Sequence, residues 1–352
     1  MFKNSRVLPL AVLAPGLMLA GCASSSPEAS SDASVDPAAT TGTQAEPLTV
    51  YSGRSEELVA PVIEQFTAAT GIGVEVRYAD SAQLASQLIE EGERTPADVF
   101  FAQDAGALGA VAQAGLAGDV DPAVAALVPD SYQSPGWVGV TGRARVVVYD
   151  PREVAPQEVP TSVDDLTDPR WSGEVGIAPT NASFQSFVTG YRVAEGDDAA
   201  RTWLDGMVAN DVESFEGNTP ILDAVDDGVI SAGLINHYYW YSKVAEVGAD
   251  AVSSRLAFMT DGDPGALVNV AGVAPLAVTD QPDETAAFVA YLLSDEAQTY
   301  FAEQTFEYPL VATVEPAADL PPLDDLQGPD IDLSDLDTLG ETIAMLEEVG
   351  LL

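Results

Sequence analysis

The sequence predicts an α/β fold with two cores, each a mostly parallel sheet flanked by helices. Two observations carry this. From Leu48 onward, short strand-like runs alternate with amphipathic helical patterns, the order that builds parallel sheets through crossover helices. The stretch from Leu48 to Leu352 is also long for one core and comfortable for two.

The elements follow in order. Lys3 and Arg6 precede an apolar stretch, residues 7–20, and then Leu19-Ala20-Gly21-Cys22, the three-part form of a secretory signal. The apolar run is shorter than the roughly 20 residues a membrane-spanning helix needs. Small residues before a cysteine resemble a bacterial lipobox, so residues 1–21 are expected to be a signal peptide and Cys22 to be lipidated. Cys22 is the one cysteine of the chain, which excludes an intramolecular disulfide. Residues 23–47 are Ser, Ala, Thr, Asp and Pro with almost no apolar bulk. Such a segment cannot offset its ordering entropy, so residues 22–47 are expected to form a disordered tether on the cell membrane.

The folded part opens with a strand at 48–52 and a helix at 56–70, whose Leu58, Val59, Val62, Ile63 and Phe66 share one face. Gly71 and Gly73 punctuate it before a strand at 74–78, a helix at 81–90 and an apolar strand at 98–102. Ligands in such sheets bind beyond the carboxyl ends of the strands, here 52–56 and 102–106. A buried-looking strand at 143–149 ends at Asp150-Pro151. The second series has strands at 174–178 and 231–236 and helices near 184–193, 198–207 and 221–227. Residues 268–277 could return the chain to the first body, with helices packing there at 283–293 and 295–303. The Pro- and Asp-rich stretch 320–336 is expected to cover the surface loosely before a last helix at 339–349.

Composition excludes one partner class. With 13 basic against 56 acidic residues and a net charge of −43, the chain cannot supply the clustered Lys and Arg that phosphate backbones require. With one histidine and one cysteine, a His-dependent nucleophile system is also poorly supplied, so no catalysis is expected.

The informative segment is LINHYYWY, residues 234–241. Tyr238 and Tyr239 would face opposite ways on a regular strand, but at a strand-to-helix turn both phenols can reach one point. A phenol ionises near pH 10, and a hard trivalent cation such as Fe³⁺ drives that deprotonation and favours oxygen donors. The same residues could equally form an aromatic cluster in a core or interface. His237, beside them, reads as a packing or supporting residue.

From Leu48 to Leu352 the chain resembles the ferric-iron-binding proteins of bacterial ABC iron-uptake systems. The similar stretches are TVYSG (49–53), TPADVF (95–100), GRARVVVYD (142–150), WSGEVG (171–176), LINHYYWY (234–241), DPGAL (263–267) and EYPL (307–310). The resemblance implies a two-lobed class II periplasmic-binding-protein fold that closes on its ligand about a hinge. Lobe 1 would hold residues 48–142 and 270–310, and lobe 2 residues 143–269 and 311–352. It also implies that Tyr238 and Tyr239 are the iron ligands.

Where family members supply a His and a Glu from lobe 1, this chain has Ser55 and Gln103, and where others carry a third tyrosine it has Phe184. Asp104 is the substitute carboxylate expected in the shell, and Ser55, Glu56 and Gln103 are expected at the first-lobe side of the cleft. A synergistic anion (phosphate, carbonate or citrate) or a chelator would complete the iron shell. The matching anion site is Thr180, Asn181, Ala182 and Ser183 at a helix N-terminus, with Asn218 and Asn236; a plain helix cap remains the other reading of residues 180–183. Arg143 and Arg145 would flank the crossing between lobes. The expected protein is a monomeric lipoprotein that hands Fe³⁺ to a membrane permease, the competing reading being a carrier of an anion, polyamine or other organic solute.

Overall fold

The computed structural model describes residues 46–317 and 319–352. The expected signal peptide, Cys22 and the tether as far as residue 45 lie outside the described residues. No helix among them is long and apolar enough to cross a membrane.

The chain opens with β1 (Leu48–Ser52), α1 (Glu56–Thr70), β2 (Val74–Tyr78), α2 (Ser81–Glu91), β3 (Val99–Ala102) and α3 (Ala105–Gln113). A single turn, α4 (Pro122–Ala125), and a two-residue strand, β4 (Gln133–Ser134), lead into the long β5 (Trp137–Tyr149). The second series comprises β6 (Val175–Ile177), α5 (Ala182–Glu195), α6 (Asp197–Ala209), β7 (Glu213–Ser214), α7 (Asn218–Asp226), β8 (Ala232–Asn236), α8 (His237–Val247) and β9 (Arg255–Ala257). Then β10 (Val268–Pro275), α9 (Pro282–Leu292), α10 (Asp295–Tyr300), β11 (Tyr308–Pro309) and α11 (Leu339–Glu348) complete the chain.

The strands lie in the order β2-β1-β3-β10-β5-β8-β6-β7. β1 pairs parallel with β2 and β3, and β6 pairs parallel with β7 and β8. Antiparallel β10 and β5 join the two parallel sets. β5 belongs to both. Its residues up to Ala144 pair with β10, and from Arg145 onward they pair with β8. A small cavity lined by Arg143, Arg145, Asn236 and Asn269 lies beside this handover.

Local chemistry accounts for the elements that face the cleft. α1 buries Val59, Val62, Ile63 and Phe66, carries Glu56 and Glu57 in its first turn and stops at Gly71, which adopts a left-handed φ of 78°. Asn181 caps α5 by accepting from the Ser183 N–H at 3.0 Å. One core packs Phe66, Phe100, Phe101 and Phe288 in the first body, and another gathers Phe184, Phe187, Tyr191 and Trp203 in the second.

The C-terminal stretch differs from expectation. Leu320, Leu326, Leu333 and Leu336 are buried, and a turn at Leu333–Asp337 sits against α3. A Cβ built on Gly106 would lie 2.4 Å from the Leu336 carbonyl oxygen. The stretch therefore packs tightly, because its widely spaced leucines find separate niches although they follow no regular period. Next to it, α11 is held on α5 through Thr342 to Thr189 at 2.7 Å and Arg192 to Glu341 at 2.5 Å.

Candidate functional site

β8 ends at Asn236, and α8 begins at His237 with no intervening loop. Tyr238 and Tyr239 thus occupy the first turn of a helix, where its dipole favours negative oxygen. Their rings stack with centroids 4.3 Å apart and planes 27° apart. Tyr238 is buried and Tyr239 half-buried. Burial pushes the Tyr238 phenol well up, helped by its neighbour Tyr239, while Arg54 and Arg143 pull the other way. A phenol held so far above neutrality stays protonated until a strong Lewis acid takes its oxygen.

His237 is not available as a ligand. Its Nδ1 lies 3.2 Å from the Ala144 N–H, which donates to it, and its Nε2 lies 2.8 Å from the Phe306 carbonyl. Burial lowers its pKa to about 4, so the ring is neutral and Nε2–H is the donor. The ring props the start of α8 against residue 306. Phe306 itself adopts a left-handed φ of 57°, rare for a side chain of this size.

The residues expected to hold an anion fall into two groups. Asn181, Ser183, Asn218 and Asn236 form one network. Asn218 Oδ1 accepts from the Asn236 N–H at 2.9 Å and from Arg145 at 3.4 Å, and Asn181 Oδ1 accepts from Ser183 Oγ at 2.6 Å. Arg145 also donates to the Ser183 carbonyl. Thr180 and Ala182 face a different cavity of about 260 Å³, shared with Asp80, Gln83, Asp104, Gln185 and Ser186.

The first-lobe candidates are placed as follows. Asp104 caps α3 by accepting from the Ala107 N–H at 2.9 Å, and burial raises its carboxyl pKa. It lines the 260 Å³ cavity opposite Thr180 and Ala182. Ser55 and Glu56 are exposed at the start of α1, and Gln103 is half-buried. None of these four is hydrogen-bonded to the tyrosine pair.

Three arginines stand near the tyrosine pair instead. Arg54, one residue before Ser55, is buried and donates through Nη2 to both oxygens of Glu307 at 2.8 Å. Arg143 is 2% exposed, and its Nε stands 3.8 Å from the same carboxylate. Neither Nε nor Nη1 of Arg143 has a hydrogen-bond partner. Arg143 and Arg145 line a cavity of about 10 Å³ with Ser183, Asn236 and Asn269. Burial and the charge of Arg143 lower the Arg145 pKa to about 9, which leaves it cationic at neutral pH. Asn269, opposite Arg143 across β5 and β10, links the bodies: its Oδ1 accepts from the Ala105 N–H of α3 at 3.4 Å, and its Nδ2 donates to Ser186 Oγ of α5 at 2.5 Å.

Arg54, Glu307 and Asn269 are the members that reading the sequence did not single out. Glu307 lies inside the EYPL stretch, and Arg54 lies next to Ser55. The arrangement offers two adjacent hard oxygen donors and a wall of cations with unused N–H groups. Among the described residues no cluster of three or more His, Cys, Asp or Glu is placed to hold a metal.

The fold agrees with the comparisons. Residues 94–332 match the family described as bacterial extracellular solute-binding protein. The major ferric iron-binding protein of Neisseria meningitidis serogroup B is 35% identical over 311 residues, spanning 86% of this chain and 93% of that protein. Iron-bound HitA of Pseudomonas aeruginosa superposes with a TM-score of 0.81 at 35% identity, over 86% of this chain and 99% of that one. A Trichodesmium protein solved with iron and citrate gives a TM-score of 0.73 at 27% identity, over 87% and 99%. The chain belongs to the bacterial extracellular solute-binding proteins, among the ferric iron-binding periplasmic proteins, a family that binds and carries and does not catalyse.

Proposed function

We propose that this chain captures ferric iron outside the cytoplasm on Tyr238 and Tyr239, together with an anion or chelator, and delivers it to an ABC permease. The observation that carries the reading is the stacked phenol pair in the first turn of α8, 4.3 Å between ring centroids. Two phenolates give a hard cation two oxygens and remove two of its charges. Iron prefers more donors than this, and the lobe-1 positions that correspond to the family's His and Glu hold Ser55 and Gln103. The anion is the natural completion. Phosphate, carbonate or citrate would rest against Arg145, Asn181, Ser183, Asn218 and Asn236, with Arg143 supplying its unpartnered donors. Asp104, Thr180 and Ala182 would border it from the adjoining cavity.

Capture would proceed by closure of the two bodies about β5 and β10, a hinge mode common to two-lobed binding proteins. Release to the permease would need reopening and loss of the anion. The lobe division given by the sequence (48–142 with 270–310, and 143–269 with 311–352) and attachment through lipidated Cys22 complete the proposal.

Iron–phenolate coordination absorbs visible light, so the protein with ferric citrate is expected to turn orange-red. Tyr238→Phe with Tyr239→Phe is expected to abolish the band; colour retained in the double variant would remove the site. The second reading, a carrier of an organic anion, is favoured by the wall of arginines. It requires anion binding of equal strength with and without iron.

A further inference from the structure

Glu307 has no part in the reading above, yet it is the carboxylate at the centre of the charged wall. It is fully buried two residues beyond a five-residue turn, Phe301–Thr305, that carries on from α10. Both of its oxygens accept from Arg54 at 2.8 Å, one accepts from Thr305 Oγ1 at 3.0 Å, and Arg143 Nε lies 3.8 Å away. Two guanidinium groups, Arg54 and Arg143, therefore share one negative charge, and Arg145 adds a third positive charge close enough to act on Arg143 and the tyrosine pair. Asp104 acts on Arg143 from a distance but is committed to the N–H groups of α3. Such a cluster is hostile to a trivalent cation and inviting to a bare anion, and each step of positive charge added by iron makes the imbalance worse.

We propose that Glu307 is a specificity-determining residue of the cargo site: its fixed carboxylate is the counter-charge that lets a cation settle among three arginines. It thereby sets the balance between ferric cargo and an anion arriving alone. The inference rests on the ferric reading of the site and deepens it. Geometry supports a role in charge over one in shape. The carboxylate is clamped by a guanidinium and a hydroxyl, while Arg143 beside it keeps two N–H donors without partners. A group present only to fill space would not need an ion pair, since buried pairs cost desolvation that apolar side chains of similar volume avoid.

The test uses the whole protein in two measurements. One is binding of inorganic phosphate to the iron-free protein by calorimetry. The other is ferric loading, followed through the phenolate band at fixed phosphate. In Glu307→Gln, phosphate binding is expected to tighten and ferric loading to weaken, each on the order of tenfold, the scale of one unit charge in a partly screened interior. Lost packing would weaken both together, and that result overturns the inference. Arg54→Gln is expected to move both quantities the other way. The pair Arg54→Gln with Glu307→Gln removes one charge of each sign, so the ratio should return toward that of the unmodified protein. If Glu307→Gln does not fold, Arg54→Gln compared with the pair isolates the same carboxylate, and equal ratios in those two overturn the inference. A band that appears but ignores Glu307 overturns this inference alone. No iron-dependent band in the unmodified protein overturns the ferric reading and this one with it.

Discussion

Arg143 and Arg145 stand two residues apart on β5, so the pleat turns both to one face, while the backbone N–H of Ala144 between them donates to His237. One short run of sequence thus supplies the cationic wall and the seat for the imidazole. The two arginines were visible in the sequence as residues flanking a crossing. Arg54 was not, because the register of its loop drew attention to Ser55, which the structure leaves exposed. A one-residue difference in which side chain turns inward cannot be read from composition or period. A residue-scale prediction concerns Asp150 at the end of β5. Its buried carboxylate accepts from Arg152 Nε at 2.8 Å and Nη2 at 2.7 Å, which holds its pKa below the usual carboxylate range. The unfolded chain then binds the proton more readily, so this contribution is present above about pH 4 and is lost as pH falls through the folded value. Asp150→Asn is expected to lower the melting temperature at neutral pH and to have little effect near about pH 2. An equal deficit at both, seen by calorimetry, would show that charge is not the cause.

At the scale of elements, α1 at Glu56–Thr70 and β2 at Val74–Tyr78 match the sequence expectation, because apolar period, glycine punctuation and acidic first turn agree there. The tyrosine turn was legible only as one of two readings, and the structure places it where α8 follows β8 directly. The C-terminal leucines were harder. Their contacts are made with α3, which lies far away in sequence, and no local pattern announces them. Gly106 tests this packing. In an open helix, Gly→Ala gains about 0.5–1 kcal/mol, and Gly340→Ala in α11, with nothing within 4 Å of the new methyl, is expected to do so. At Gly106 the methyl would collide with the Leu336 carbonyl at 2.4 Å, so Gly106→Ala is expected to cost about 1–3 kcal/mol. Thermal melts of the two variants check the sign, and stabilisation by both would mean that the last segment does not press on α3.

At the scale of the whole molecule, a net charge of −43 surrounds a site walled by arginine. Self-repulsion among surface carboxylates opposes compaction, and salt screens it over a Debye length of about 10 Å at 0.1 M. The melting temperature is therefore expected to rise by several degrees between about 0.05 M and 1 M NaCl; a flat or falling trend would show that the acidic groups are already neutralised by local pairing. The sequence made the acidity plain. It could not show that three of the scarce basic residues, Arg54, Arg143 and Arg145, are spent inward, since only folding buries them beside the tyrosine pair.

β5 runs unbroken from one sheet into the other, changing partners between Ala144 and Arg145. The strand resembles a torsion bar with Arg143 and Arg145 mounted on either side of that change of partners. Any rotation of one body against the other must twist the backbone there and alter the spacing between the two guanidinium groups. If the two bodies close about β5 as proposed, grip on the cargo and the angle of the jaws would be a single mechanical coordinate. A receptor that senses the angle from outside would be reading the state of the wall within.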